Sequence, residues 1–162
     1  SSGDAHAKLE VTLTNGSPPG LPVFIAGPPG KVGGYAVNKA LLLAFVPERV
    51  QLASAAPETG LPDHIEAKAK VFARTISAPA GGTAIMRLEY TIPDVVVSSA
   101  HGRLYRLTVQ HQALIAPVHL NVTITLPKGT APRAALPGWT VGGNVLRLET
   151  DLVHDMVHEI VY

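Results

Sequence analysis

The amino-acid sequence predicts an all-β protein in which two antiparallel sheets pack face to face as a β-sandwich of about eight strands. Three observations support this fold class. Apolar and polar residues alternate in several segments of strand length, which gives a strand one buried and one solvated face. Clusters rich in proline and glycine separate these segments. No segment combines a helical spacing of apolar residues with capping residues at its ends.

Most of the predicted strands show this alternation clearly. The first is AKLEVTLTN at 7–15, in which Leu9 and Val11 lie on the apolar side and Glu10 and Thr12 on the polar side. The same pattern appears in IEAKAKVFA from 65, IMRLEYTI from 85, LYRLTVQHQ from 104 and HLNVTITLP from 119, and more loosely in NVLRLETDL from 144. DMVHEIVY from 155 is interpreted as the last strand. Each of these segments is predicted to be one strand.

Two further segments are less regular. VNKALLLAFV from 37 is apolar on both sides near its end, which is typical of a central strand. VPERVQLASAA from 46 has the length of a short helix, but Val50 and Leu52 alternate, so we interpret it as a strand. The strands are separated by NGSPPG, PETGLPD, PAGG, PKGTAP and PGWTVGGN. We therefore expect one domain, 1–162, of the immunoglobulin or fibronectin type III kind, with a single shared core.

Composition limits the possible functions. The net charge is +1 and no run of basic residues occurs, so bulk electrostatics would not attract nucleic acid or an anionic membrane. The chain has no cysteine, which excludes disulfides, thiolate metal sites and a cysteine nucleophile. The longest apolar stretch, 40–46, is too short to span a membrane. We expect membrane attachment only through segments outside this chain.

The stretch GLPVFIAGPPGKVGGYAV at 20–37 contains five glycines and three prolines. It is not a phosphate-binding loop, because Val32 follows Lys31 where that motif needs serine or threonine. Its glycines also lack the dinucleotide-binding spacing, so no cofactor is predicted. The stretch is interpreted as a long loop in which Phe24 and Tyr35 either contact a partner or cover an open end of the sandwich.

The spacing of the histidines in the sequence does not by itself predict a metal site. His154 and His158 lie four residues apart, but HDMVHE lacks the glutamate position of the zinc hydrolase motif. In a strand, residues four apart are separated by about 13 Å, too far to share one ion. His101, His111 and His119 meet only if their strands are neighbours, so a histidine-based metal module stays an alternative.

No catalytic residues are predicted. The chain has no Gly-x-Ser-x-Gly motif, and acids such as Glu10, Glu89 and Glu149 occupy polar positions of alternating strands, where solvation explains them. A cell-wall carbohydrate hydrolase with paired carboxylates is an alternative function. Trp139, in LPGWTV, is a third candidate for partner binding if it is exposed; otherwise it closes the edge of the core.

Several segments resemble a bacterial protein family. VTLTNGSPPGLPVFI followed by GYAVNKALLLAFVPERVQLASA is similar to the C-terminal β-rich region of membrane-anchored envelope proteins, mostly actinobacterial, that carry a domain of unknown function. APAGGTAIMRLEYTIP, YRLTVQHQALIAPVHLNVTITLPKG and PGWTVGGNVLRLETDLVHD resemble later parts of the same region. The resemblance implies an extracytoplasmic location and a cell-wall context, and it carries no catalytic residues.

These observations predict a non-catalytic, extracytoplasmic β-sandwich that serves as a binding or scaffolding module of a cell-envelope protein. The expected partner is another envelope protein or a wall glycan. The expected contact residues are Phe24, Tyr35 and Trp139.

Overall fold

The computed structural model describes residues 3–18, 20–27, 36–58, 60–112, 114 and 116–162 of the chain. The described residues confirm the all-β class: they form twelve strands, paired antiparallel, and one helical turn. Twelve strands exceed the expected number of about eight, because two short strands and one hairpin escaped the alternation pattern. The chain divides into two compact units, which we call the N-terminal unit (Asp4–Pro93) and the C-terminal unit (Asp94–Tyr162 with Gly3). The single domain over 1–162 stays a prediction.

The N-terminal unit contains two three-stranded antiparallel sheets. In the first, β1 (Ala5–Thr14) and β3 (Gln51–Ala56) flank β6 (Thr83–Ile92). In the second, β2 (Asn38–Pro47) and β4 (Gly60–Glu66) flank β5 (Ala69–Ala78). The helical turn α1 (Val23–Ala26) lies in the chain between β1 and β2.

Both sheets of the N-terminal unit contribute to one hydrophobic cluster. Phe72 and Ile76 of β5 pack with Met86 and Leu88 of β6, and Val50 joins them. These five side chains are almost completely buried. At about 25 cal/mol per Å² of apolar surface removed from water, such burial is the main force that holds the two sheets together.

The structure corrects the position predicted for β2. The sequence pattern indicated a central strand, but β2 lies at the edge of its sheet among the described residues, and β5 is the central strand. Leu41, Leu43 and Phe45 on one face of β2 are about half exposed. Consecutive residues of β5, including Val71 and Phe72, are fully buried. An apolar side chain on both faces therefore did not distinguish an edge strand from a central one.

The segment from Ile65 is also different from its prediction. It is not one strand but the end of β4, a two-residue turn and the start of β5. Ala67 and Lys68 form the turn with positive φ angles of 48° and 66°, so that Glu66 pairs with Ala69. Two positive φ angles are typical of a type I′ hairpin turn, which usually contains glycine, asparagine or aspartate. Ala-Lys carries no such signal, and the turn was missed.

The C-terminal unit also contains two three-stranded antiparallel sheets. In the first, β9 (Val118–Thr125) and β10 (Thr140–Gly142) flank β11 (Val145–Leu152). In the second, β7 (Val96–Ser99) and β12 (Met156–Val161) flank β8 (Gly102–Val109). The short strands β7 and β10 have three or four residues each, too few for alternation to be visible in the sequence.

A second hydrophobic cluster lies within the C-terminal unit. Leu146 of β11 and Ile160 of β12 are fully buried in it, and Leu126, Trp139, Leu148 and Tyr162 complete the buried part. The cluster again takes residues from both sheets of its unit. The described residues thus form two hydrophobic clusters, one in each unit, instead of the single core that the sequence suggested.

Candidate functional site

A buried asparagine fixes the base of the loop that follows β1. Asn15 is buried, and its side-chain nitrogen donates to the carbonyl oxygens of Ala36, at 2.6 Å, and Ala78, at 3.0 Å. Its side-chain oxygen accepts a hydrogen bond from the backbone nitrogen of Ser17 at 3.1 Å. A buried amide with all these partners satisfied holds the chain segments that it joins in one arrangement. The start of the loop is therefore tied to its end at Ala36.

The helical turn α1 is closed by its own backbone. The nitrogen of Gly27 donates to the carbonyl oxygen of Val23 at 2.7 Å, and Gly27 has a φ of 78°. This positive φ angle suits glycine, which has no Cβ. The nitrogen of Ala36 donates to the carbonyl oxygen of Ala26 at 2.7 Å, and Ala26 is the buried residue of the turn. The turn is thus anchored at Ala26 on the side where the loop returns to β2.

Three consecutive apolar side chains of this turn are exposed. Phe24 is 86% exposed, and its neighbours Val23 and Ile25 are both more than half exposed. We call these three residues the apolar turn. An isolated exposed leucine or valine is common on protein surfaces, but adjacent large apolar side chains with a phenylalanine at their centre are typical of an interaction site. The structure therefore places Phe24, one of the three predicted contact residues, in an accessible position.

The other two predicted contact residues are placed differently. Tyr35 lies outside the described residues. Trp139 belongs to the C-terminal unit, where only 9% of its surface is exposed. Its indole nitrogen donates to Nδ1 of His158 at 3.2 Å, and the two rings meet edge to face with 5.3 Å between their centroids. A sugar could stack on this indole only if the ring left the hydrophobic cluster.

His158 has a partner that the sequence did not suggest. Its spacing of four residues from His154 does not predict a metal site, and in the structure its ring accepts the hydrogen bond from Trp139. His154 precedes β12 and His158 lies within it. In the part of the chain that the structure describes, no three or more histidine, aspartate or glutamate side chains converge as metal ligands.

His119 is the one of the three remaining candidate histidines whose ring lies between acidic side chains. Its Nδ1 lies 2.8 Å from Oδ1 of Asp151, and its Nε2 lies 3.3 Å from Oε1 of Glu149. The hydrogen bond with Asp151 raises the pKa of His119 most. Desolvation is the next largest effect and lowers it, while the bond with Glu149 and the charges of both acids raise it, so that the pKa is raised overall. The antiparallel register of β9 and β11, in which His119 is paired with Asp151, brings these groups together.

Glu149 and Asp151 are a pair of neighbouring carboxylates that can be compared with the paired carboxylates of a glycosidase. They lie two residues apart on one face of β11, and both side chains are more than half exposed. A general acid in this class of enzyme is usually shielded from water, which keeps it protonated at neutral pH. This pair has no such shielding.

Sequence analysis missed one apolar surface. This surface is an exposed row on one face of β2, formed by Leu41, Leu43 and Phe45. On the neighbouring strand β5, Ala73 lies opposite Leu43 and Val71 lies opposite Phe45. The alternation within VNKALLLAFV could have identified two faces of β2, but it could not show which of them is exposed to solvent. The row follows α1 in the chain and belongs to the same unit.

Comparisons with known proteins identified no relative. No model of a protein family matches the chain, and no curated protein or solved structure is similar enough to count as a match. The resemblance to the envelope family therefore stays a prediction. None of the helices in the described residues is long and apolar enough to cross a membrane.

Proposed function

We propose that this chain is a non-catalytic, extracytoplasmic binding or scaffolding module of a bacterial cell-envelope protein. In this proposal the two sheets of each unit pack as a sandwich of the immunoglobulin or fibronectin type III kind. The hydrophobic clusters support the arrangement, because each takes residues from both sheets of its unit. The envelope context is supported by the sequence resemblance described above.

The exposure of Phe24 is the observation that carries the binding role. Leaving a phenylalanine in water forgoes about 1.5–3 kcal/mol that its burial would contribute. The turn that bears it is closed by backbone hydrogen bonds, and the loop base is fixed by Asn15. A surface that is already ordered loses little conformational entropy when it binds. The apolar turn therefore has the properties of a preorganised contact surface.

The chemistry of the turn favours a protein partner over a glycan. No charged residue occurs between Gly20 and Gly27, and the described side chains of the turn offer aliphatic and aromatic surface without hydrogen-bonding groups. An apolar pocket on a second envelope protein complements such a surface. Tyr35 belongs to this proposal from the sequence alone.

Site-specific crosslinking tests the proposed contact. We would place p-benzoylphenylalanine at position 24 in the organism that encodes the chain, irradiate intact cells and identify adducts by mass spectrometry. The expected result is one discrete protein adduct, which Val23→Ser together with Ile25→Ser reduces strongly. Val97 of β7 is more than half exposed, and the same crosslinker at position 97 is the matched control.

Two results would remove the proposed contact. The first is an absence of adducts at position 24 in cells in which the chain is folded. The second is an identical set of adducts at positions 24 and 97, which would indicate random collisions. Phe24→Ala combined with Tyr35→Ala should weaken the interaction with the crosslinked partner at least tenfold, because each tenfold change corresponds to about 1.4 kcal/mol.

The extracytoplasmic location has its own test. The chain lacks cysteine, so Ser98→Cys introduces a single thiol at an exposed position of β7. A membrane-impermeant maleimide should label this thiol in intact cells to the same extent as after lysis. Labelling that requires lysis would contradict the location and leave the crosslinking result standing.

A further inference from the structure

A polar groove lies on one face of the sheet formed by β9, β10 and β11. Its volume is about 340 Å³, at the lower end of the range of about 300–1,000 Å³ that is typical of small-molecule sites. Its polar lining comes from Asn121 and Thr123 of β9, Thr140 of β10, and Arg147 and Glu149 of β11; Gly138 also lines it. We call these six residues the polar groove.

Strand register explains why these side chains converge. Arg147 of β11 lies opposite Thr123 of β9 on one side and opposite Thr140 of β10 on the other. Glu149 lies opposite Asn121. Residues that are directly opposite on neighbouring antiparallel strands project from the same face of the sheet, about 5 Å apart. The groove is therefore built on paired strands, which hold functional groups more accurately than loops do.

Most of these polar groups have no partner within the protein. The side chains of Asn121, Thr123, Thr140 and Arg147 form no hydrogen bond or ion pair with any described residue. Glu149 is engaged only at one oxygen, by His119 at 3.3 Å. The groove thus presents one guanidinium, one amide, two hydroxyls and one carboxylate oxygen to whatever enters it.

The balance of charges selects the class of ligand. The two charged residues that line the groove, Arg147 and Glu149, have opposite signs, so the lining itself carries no net charge. Amide and hydroxyl groups donate and accept hydrogen bonds, the guanidinium only donates, and the carboxylate only accepts. Sugar hydroxyls can match each of these groups, because each hydroxyl donates one hydrogen bond and accepts others.

We propose that the polar groove binds one or two units of a neutral carbohydrate chain. The site is separate from the apolar turn, which belongs to the other unit, and it does not rest on the function proposed for that turn. The chain would then have two binding sites, the apolar turn for a protein and the polar groove for a glycan. Trp139 precedes Thr140 in the chain but is buried, so recognition in this groove depends on hydrogen bonds instead of aromatic stacking.

NMR titration of the whole chain tests the proposal. Three neutral trisaccharides, N-acetylated chitotriose, cellotriose and maltotriose, would be added separately up to about 10 mM, which is tenfold above a Kd of about 1 mM. At least one should shift the amide signals of Asn121, Thr123, Thr140 and Arg147 with saturation. Arg147→Ala and Asn121→Ala should each weaken that binding about tenfold or more.

Matched variants distinguish the ligand classes. Arg106 of β8 is exposed and belongs to the other sheet of the same unit, so Arg106→Ala should leave the binding unchanged. Glu149→Gln keeps a hydrogen-bond acceptor without its charge and should change the affinity for a neutral sugar less than about threefold. Calcium and sulfate are the ionic probes. Saturable binding of either ion at these residues, or no saturable shift with any of the three sugars, would overturn the proposal.

Discussion

The side-chain nitrogen of Asn15 lies 2.6 Å from the carbonyl oxygen of Ala36, which joins the two ends of the loop that carries the apolar turn. Asn15 is the first residue after β1, and Ala36 lies two residues before β2. A single buried side chain thus determines how far these two strand ends can separate. The same nitrogen donates to Ala78 at the end of β5, which fixes the loop base to the sheet.

The first prediction is that Asn15→Ala destabilises the N-terminal unit. The substitution leaves the carbonyl oxygens of Ala36 and Ala78 without this donor, and a buried polar group that loses its partner costs about 1–3 kcal/mol. Urea unfolding measures the loss, and amide hydrogen exchange at Ala36 should become faster. Asn15→Asp should cost more, because it directs a carboxylate at two carbonyl oxygens.

Asn144 provides a control for this prediction. Its side-chain nitrogen makes a comparable bond, 2.8 Å long, to the carbonyl oxygen of Leu126, but it is only half-buried. Asn144→Ala removes one hydrogen bond from a more solvent-exposed site, so it should reduce the free energy of unfolding less than Asn15→Ala does. If the two substitutions cost the same, Asn15 has no special role in fixing the loop.

The second prediction concerns the pH dependence of His119. Its raised pKa, relative to the ordinary value of 6.5, arises mainly from the hydrogen bond with Asp151. A raised folded-state pKa means that the contribution to stability is fully present below 6.5 and is lost as the pH increases through the folded-state value. The effect on stability should be small, because the ring is exposed to solvent.

NMR titration of the imidazole proton signals measures this pKa directly. Asp151→Asn should lower the pKa of His119 toward 6.5, since it removes both the charge and the shorter hydrogen bond. Glu149→Gln should lower it less, because the bond to Glu149 is longer, 3.3 Å against 2.8 Å. A wild-type pKa at or below the ordinary value would show that the two carboxylates do not hold the ring in solution.

Much of the fold followed from alternation because one dry and one wet face leave a period of two in the sequence. The segment AKLEVTLTN became β1, and its apolar residues Leu9 and Val11 pack against the cluster of the N-terminal unit. Whether an apolar side chain is exposed or buried in the folded chain leaves no such periodic signal in the sequence. Leu43 on β2 and Phe72 on β5 both belong to apolar segments, but the first is exposed and the second buried, because Phe72 projects into the hydrophobic cluster and Leu43 projects from the opposite face of the sheet.

The candidate site was only partly predictable for a related reason. Phe24 was identified because it lies in an apolar group within a glycine-rich loop, but its exposure depends on how Asn15 and Ala36 close the loop base. The groups that meet at His119 come from β9 and β11, and Glu149 lies 30 residues from His119 along the chain. Only the register between the strands brings them together, and a single sequence does not specify strand pairing.

The third prediction tests the one-sided burial of β2. Leu43 lies on the exposed face and Leu42 packs against the hydrophobic cluster. Leu43→Lys should change the free energy of unfolding by less than about 0.5 kcal/mol, and a charge on an edge strand should improve solubility. Leu42→Lys should destabilise by at least about 2 kcal/mol, because it directs an amine into the cluster. Equal effects in urea unfolding would contradict the one-sided burial of β2.

The fourth prediction concerns an ion pair with unequal burial. Arg74 of β5 is 7% exposed at its side chain, whereas its partner Asp63 of β4 is 33% exposed. Nη1 of Arg74 lies 3.3 Å from Oδ1 of Asp63 and 2.8 Å from the carbonyl oxygen of Ala73. Nε of the same guanidinium is buried and has no hydrogen-bond partner among the described residues. The desolvation cost therefore falls mainly on the arginine.

The two single substitutions should consequently differ in their cost. Asp63→Ala leaves the buried guanidinium without its carboxylate and should destabilise the chain by about 1–3 kcal/mol. Arg74→Met keeps similar apolar volume, removes the buried charge and the unpartnered Nε, and leaves a carboxylate that water can reach. Replacing a buried charge in this way is often neutral or stabilising, so Arg74→Met should cost less than Asp63→Ala in urea unfolding. The opposite order would mean that the hydrogen bonds of Arg74 outweigh its desolvation, and that this guanidinium is a net source of stability in the N-terminal unit.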